Sequence, residues 1–204
     1  MIPIKGYATF HPLKHCWIGS SFKIEWFSDL SIYKNNKIMD PLKRIAEETE
    51  EDYQTLEKIL KDVGVKTYRS FLDISKVKSL KNIFRPPINP RDHFAVIGEK
   101  LYACSNITQG YADVLRQIDR KNTVITKPDH YFATNMICRV GKDLWWDIHP
   151  SITTDGVNKY RAIWEEEGFR VHTSNRGFHS DGCFCVVNPG CIVSLCDIQN
   201  YKEE

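Results

Sequence analysis

Three stretches of the chain share one alternation of apolar and polar positions. They are His93-Phe94-Ala95-Val96-Ile97-Gly98-Glu99-Lys100-Leu101-Tyr102, Met136-Ile137-Cys138-Arg139-Val140-Gly141-Lys142-Asp143-Leu144-Trp145-Trp146, and Phe184-Cys185-Val186-Val187-Asn188-Pro189-Gly190-Cys191-Ile192-Val193. Each reads as a strand, a tight turn bearing glycine, and a second strand, the signature of a β-hairpin. Trp17-Ile18-Gly19 is a weaker fourth copy. Gly98 and Gly141 lie 43 residues apart and Gly141 and Gly190 lie 49 apart, room in each interval for a hairpin, a helix and a return strand.

The intervening segments fit that unit. Asp40 to Val63 carries helical periodicity, with Asp40 as candidate N-cap and Pro41 in the first helical position. Leu42, Ile45, Ala46, Tyr53, Leu56, Ile59 and Leu60 fall on or near one face, and Gly64 ends the helix before a strand at Val65–Tyr68. The acidic run Glu47 to Asp52 reads as its solvated side. Asn106–Asp119 and Asp155–Glu167 are two further helix candidates, followed by strands at Thr123–Thr126 and Phe169–His172. The fold class is therefore α/β, built of hairpin–helix–strand pseudo-repeats. After the last hairpin no helix or return strand follows, and the expectation is one incomplete domain spanning residues 1–204.

Polar residues recur in phase with the hairpins. Asp92 stands six positions before Gly98, and Asn135 six before Gly141. Hairpins pointing inward about a common axis would bring such positions to one cavity, although Asn135 can also be read as a strand terminator. Before the last hairpin, His179 and Asp181 are two apart, so on an extended chain they share a face. A base and a carboxylate delivered together suit proton transfer beside a bound cation.

Composition narrows the partners. A net charge of +2 with no basic block gives no footprint for nucleic acid or an anionic membrane surface, and no apolar run is long enough to span a bilayer. Seven cysteines, an odd number without framework spacing, point to a reducing compartment, so the expected location is cytoplasmic. Cys183 and Cys185, with Cys191 or Cys196, could be read as zinc ligands. Structural zinc prefers paired Cys-x2-Cys knuckles, and the expectation is no metal and no cofactor.

Five motifs in order resemble the arginine:glycine amidinotransferase family, among the guanidine-modifying enzymes of the pentein fold. His11-Pro12-Leu13-Lys14-His15-Cys16-Trp17-Ile18-Gly19 is similar to its first strand, and Leu60-Lys61-Asp62-Val63-Gly64-Val65 to its helix end. Asn89-Pro90-Arg91-Asp92 through Gly98 resembles the family's P-R-D-x-x-x-V-I-G. Cys138-Arg139-Val140-Gly141-Lys142-Asp143-Leu144 is similar to x-R-x-G-R-D-L, and His179-Ser180-Asp181 with Asn188-Pro189-Gly190 to H-x-D…x-P-G.

The resemblance implies an α/β-propeller, with about four of its five units present. It also implies chemistry in which a cysteine thiolate attacks a guanidinium carbon, an amine leaves, and the amidino group passes to an acceptor amine. A carboxylate grips the planar guanidinium fork with paired bonds, and an imidazole moves protons near neutral pH. Carried over, His179 is the proton shuttle, while Asp181 and Asp92 hold the guanidino donor. Three family features are missing. Phe132 stands where an aspartate orients the histidine, with Asp129 as a nearby substitute, and no arginine follows the Pro-Gly turn in Leu195-Cys196-Asp197-Ile198. None of the seven cysteines sits at the nucleophile's position, since the chain ends 25 residues after His179. The resemblance thus implies a chain truncated before the cysteine-bearing unit, completed by a second chain or a homo-oligomer over the open fifth position. A non-catalytic binding or interaction protein on the same fold is the alternative.

Overall fold

The computed structural model describes residues 1–23, 35–71, 87–104, 109–126, 134–148, 152–174 and 184–194. The chain divides into two compact units.

The first comprises Met1–Pro12, Arg91–Asn106 and Ile118–Glu204. It holds two three-stranded sheets of identical topology. Strands β3 (Phe94–Ile97) and β4 (Lys100–Ala103) form an antiparallel hairpin, and β5 (Thr123–Ile125) returns parallel to β4. Strands β6 (Ile137–Val140) and β7 (Asp143–Asp147) repeat the hairpin, and β8 (Arg170–Ser174) returns parallel to β7. A third hairpin joins β9 (Phe184–Asn188) to β10 (Cys191–Ser194), with a register shift between Cys191 and Ile192. All three expected hairpins are present, and their turn glycines have positive φ: 59° at Gly98, 64° at Gly141 and 73° at Gly190. A side chain is strained there, which explains glycine at each turn. Gly98 is also tied to Gly6 by reciprocal main-chain bonds, at 2.8 and 2.9 Å. A Cβ at Gly6 would run into Arg139 Nη1, which donates to the Val96 carbonyl of β3.

The helix of this unit, α3 (Thr154–Glu166), lies close to its expected bounds. The Thr153 hydroxyl caps it by accepting from the Gly156 N–H at 3.1 Å, and Gly168 at φ 87° turns the chain out of it. Its Tyr160 and Trp164 pack with Tyr102 of β4 and Trp146 of β7 into an aromatic core. The Trp164 ring meets Trp146 at 5.1 Å and Tyr102 at 5.6 Å, both edge to face. Trp145, unlike Trp146, is only half-buried and stacks on His172 at 4.8 Å. Strand β7 is central and buried on both faces. Its acidic ends are accommodated because Asp143 pairs with Arg170 and His172, and Asp147 accepts from Ser174 at 2.8 Å.

The second unit comprises Leu13–Pro90 and Ile107–Gln117. Strand β1 (His15–Ile18) pairs parallel with β2 (Lys66–Arg69) across helix α1 (Asn36–Asp62). Among the described residues no strand returns after Gly19, so the weak fourth hairpin is not seen there. A Cβ at Gly19 would collide with the Ile88 carbonyl, and this close approach accounts for the glycine.

Helix α1 begins earlier than its sequence pattern suggests. Asn35 is the N-cap, accepting from Lys37 N–H at 3.0 Å, and Pro41 lies inside the helix. The acidic run is not wholly solvated either. Arg69 of β2 takes both Glu50 oxygens at 2.9 Å and one Glu57 oxygen at 3.4 Å, so the inward face runs through Ala46, Glu50, Tyr53 and Glu57. Ile45, Leu56 and Ile59 are exposed as a result. The expected helix at Asn106–Asp119 shortens, among the described residues, to a 3-10 turn at Gln109–Tyr111 and one helical turn, α2 (Ala112–Leu115). Gly110 sits there against the Pro87 ring, where a Cβ would come within 2.7 Å. None of the described helices is long and apolar enough to cross a membrane.

Candidate functional site

Each three-stranded sheet of the first unit is entered through a short 3-10 turn. Pro90–Asp92 leads toward β3, and Thr134–Met136 leads directly into β6. The two phase-matched polar residues sit on these turns, and they meet. The Asn135 Nδ2 donates to Asp92 Oδ1 at 3.3 Å. Asn135 is buried while Asp92 is exposed, so one carboxylate is held from behind by an amide and faces outward. The Asp92 main chain is tied as well. The Cys104 thiol lies 3.8 Å from its carbonyl oxygen, and the Cys104 N–H donates to the His93 carbonyl at 2.9 Å. Arg91 is anchored through its Nη2, which donates to the Ile137 carbonyl at the start of β6. The adjoining pair of hairpins thus fixes the Arg91-Asp92 dipeptide from two sides.

An exposed, oriented carboxylate is chemically suited to a cationic ligand that presents planar N–H donors. Of the other proposed site residues, His179 and Asp181 lie outside the described residues, as do Asp129, Phe132, Cys183 and Cys196. Asn135, whose favoured reading was as a strand terminator, is the residue whose amide contacts Asp92. Its spacing before the turn glycine was the usable signal.

The described cysteines are all free thiols: Cys16, Cys104, Cys138, Cys185 and Cys191. Burial pushes the Cys16 thiol up. It pushes Cys138 up to about 11, although Arg91 and Arg139 pull in the opposite direction. Neither is poised as a thiolate near neutral pH. Among the described residues no group of three or more histidine, cysteine or acidic side chains could hold a metal ion.

Solved structures share this fold. No family model and no curated protein sequence matches the chain. An amidinotransferase of the saxitoxin biosynthetic pathway from Microseira wollei superposes with a TM-score of 0.66 at 15% identity, over 95% of this chain and 69% of its own. The inosamine-phosphate amidinotransferase of Streptomyces griseus gives 0.68 at 15% identity, over 94% of this chain and 69% of its own. A dimethylarginine dimethylaminohydrolase from Pseudomonas aeruginosa, solved with citrulline, gives 0.57 at 9% identity, over 89% and 69%. The mixed α/β fold of the chain is that of the pentein amidinotransferases and their hydrolase relatives.

Proposed function

We propose that this chain, folded like the guanidine-modifying enzymes, binds a guanidino compound such as arginine and belongs to an amidino-transferring system. The observation that carries the reading is the Asn135–Asp92 contact, which joins equivalent positions of successive hairpin units into one oriented acid. Asp181 supplies the second carboxylate and His179 the proton shuttle. The units form a propeller with about four of five positions filled, as one incomplete domain. A fifth unit, carried by a second chain, another copy or further sequence of the same protein, brings the thiolate.

In the completed site the thiolate forms a C–S bond to the amidino carbon. The C–N bond of the donor breaks, and His179 protonates the departing amine. The acceptor amine then displaces sulfur and returns its proton to the imidazole, leaving the thiolate restored. The location is cytoplasmic, in keeping with free thiols.

Calorimetry with arginine tests the reading. Binding should weaken at least about tenfold in Asp92→Asn and in Asp181→Ala, as expected when a charge-assisted paired contact is lost. Absence of heat with arginine at millimolar concentration, or unchanged affinity in both variants, refutes it. One observation favours a second reading, a non-catalytic binding protein on the same fold: the Cys16 and Cys138 thiols are pushed away from ionisation. Arginine binding without any ornithine release after addition of a cysteine-bearing partner would select it.

A further inference from the structure

Helix α1 carries a second ordered face besides its inward one. Ile38, Leu42, Ile45, Thr49, Asp52, Leu56, Ile59 and the C-cap residue Val63 recur at alternating spacings of four and three, which sets them in one row along the helix. The row lies about a quarter turn from the inward face through Ala46, Glu50, Tyr53 and Glu57. Ile45, Leu56 and Ile59 are 50%, 43% and 55% exposed, Val63 is exposed, and Leu42 is half-buried. From Ile38 to Val63 the row extends about 38 Å at the rise of an α-helix, so it is a continuous seam and not a scatter of single side chains. A second helix covers such a seam in a coiled coil.

The order of residues says which helix. Read backwards, the row is its own complement. Antiparallel pairing of two copies about a two-fold between Glu50 and Glu51 sets Ile38 against Val63, Leu42 against Ile59, Ile45 against Leu56, and Thr49 against Asp52. Apolar then faces apolar in every outer layer. The polar positions share the middle, where a threonine hydroxyl can donate to a carboxylate. Parallel pairing in register would instead bury Asp52 against its own equivalent, like charge on like charge. Glu48 and Glu51 flank the middle and weaken either arrangement, but they stand away from the outer layers. Pro41 removes a helix bond between Ile38 and Leu42, so the weight of the contact falls on Leu42, Ile45, Leu56 and Ile59.

We propose that α1 is a dimerisation helix, pairing antiparallel with α1 of a second copy of this chain through Leu42, Ile45, Leu56 and Ile59. The proposal does not rest on the guanidine reading. It also differs from a copy that supplies a fifth unit, because the surface lies wholly on α1.

Sedimentation velocity at about 100 μM chain tests it. The wild type should sediment as a dimer. Ile45→Lys alone and Leu56→Glu alone should each raise the dissociation constant at least about tenfold, since each puts a charge into two apolar layers of the pair. An equimolar mixture of these two variants should regain a dimer. In it the introduced lysine faces the introduced glutamate in one layer, while Leu56 faces Ile45 in the other. Parallel pairing sets each position against itself and gives no such rescue. Asp52→Leu, at an exposed position, should tighten the wild-type dimer at least about tenfold by removing two carboxylates from the seam. A monomeric wild type, undiminished association in both single variants, or no dimer on mixing overturns the proposal. Should either charged variant fail to fold, an unchanged dissociation constant in Asp52→Leu overturns it.

Discussion

Replacing Asp143 by asparagine isolates the contact that closes the second sheet. The Asp143 carboxylate is 6% exposed and accepts from Arg170 Nε at 2.8 Å, from Arg170 Nη2 at 2.7 Å, and from His172 Nε2 at 2.8 Å. Burial alone would raise its pKa. The bonds from Arg170 and His172, with their charges, outweigh burial and leave it below the ordinary carboxylate value. Asparagine keeps the shape, but it has one acceptor oxygen in place of two, and its amide N–H groups oppose those of Arg170. A fully buried pair broken on one side costs about 3–5 kcal/mol, whereas a charged hydrogen bond is worth about 1.5–3. Arg170 is 48% exposed and can turn to water, which places the cost at about 2 kcal/mol. For a chain of this size that corresponds to a fall of about 4–8 °C in the unfolding midpoint at pH 7.

The pH dependence follows from the sign of the shift. The folded state binds this proton less tightly than the unfolded chain does. The stabilisation is complete above the unfolded carboxylate pKa and is lost as pH falls through the lower folded value. The gap between wild type and Asp143→Asn, followed by thermal or urea unfolding, should therefore be full at pH 6–7 and shrink below about pH 4. In a cycle with Arg170→Met the two losses should fall short of additivity by more than about 0.5 kcal/mol. Additive losses, or a gap that does not change with pH, would refute the assignment of the cost to this cluster.

Two further measurements address the repeat architecture. Gly98→Ala should destabilise more than Gly141→Ala in chemical denaturation. Both acquire about 1 kcal/mol of left-handed strain, but only at Gly98 does the new Cβ also meet a neighbour, the Phe169 ring at 3.3 Å; equal costs would contradict this. Arg69→Met should lower stability by about 2 kcal/mol and increase hydrogen exchange in α1, because Glu50 and Glu57 then face β2 without their shared cation. Unchanged protection in α1 would show that its apolar contacts alone hold it.

The hairpins were legible because each condenses into a local pattern: alternating apolar residues about a glycine whose positive φ almost no other residue tolerates. The helix before β8 was legible for a similar reason, because Gly168 stops it, whereas its Thr153 cap emerged only in the structure. Misreadings arose where a distant partner decides. Pro41 looks like a first-turn proline, yet Asn35 caps the chain earlier. Glu50, in the acidic run, looks solvated until Arg69, on a strand later in the chain, is brought against it. At the candidate site the spacing of Asp92 and Asn135 before their turn glycines anticipated their meeting. The placement of Arg139 could not be read, because a lone arginine in a strand gives no sign of the carbonyl that receives it or the glycine that makes room.

The reciprocal Gly6–Gly98 bonds have a bearing on how the molecule is made. Gly6 is synthesised well before its docking partner, the tip of a hairpin far later in the chain. Until that ribbon exists this stretch has nowhere to lie, and a contact of such long sequence separation forms late because its loop entropy must be overcome first. The segment around Gly6 is thus among the last parts to settle, sealing Arg139 into place only once the ribbons around it have been synthesised.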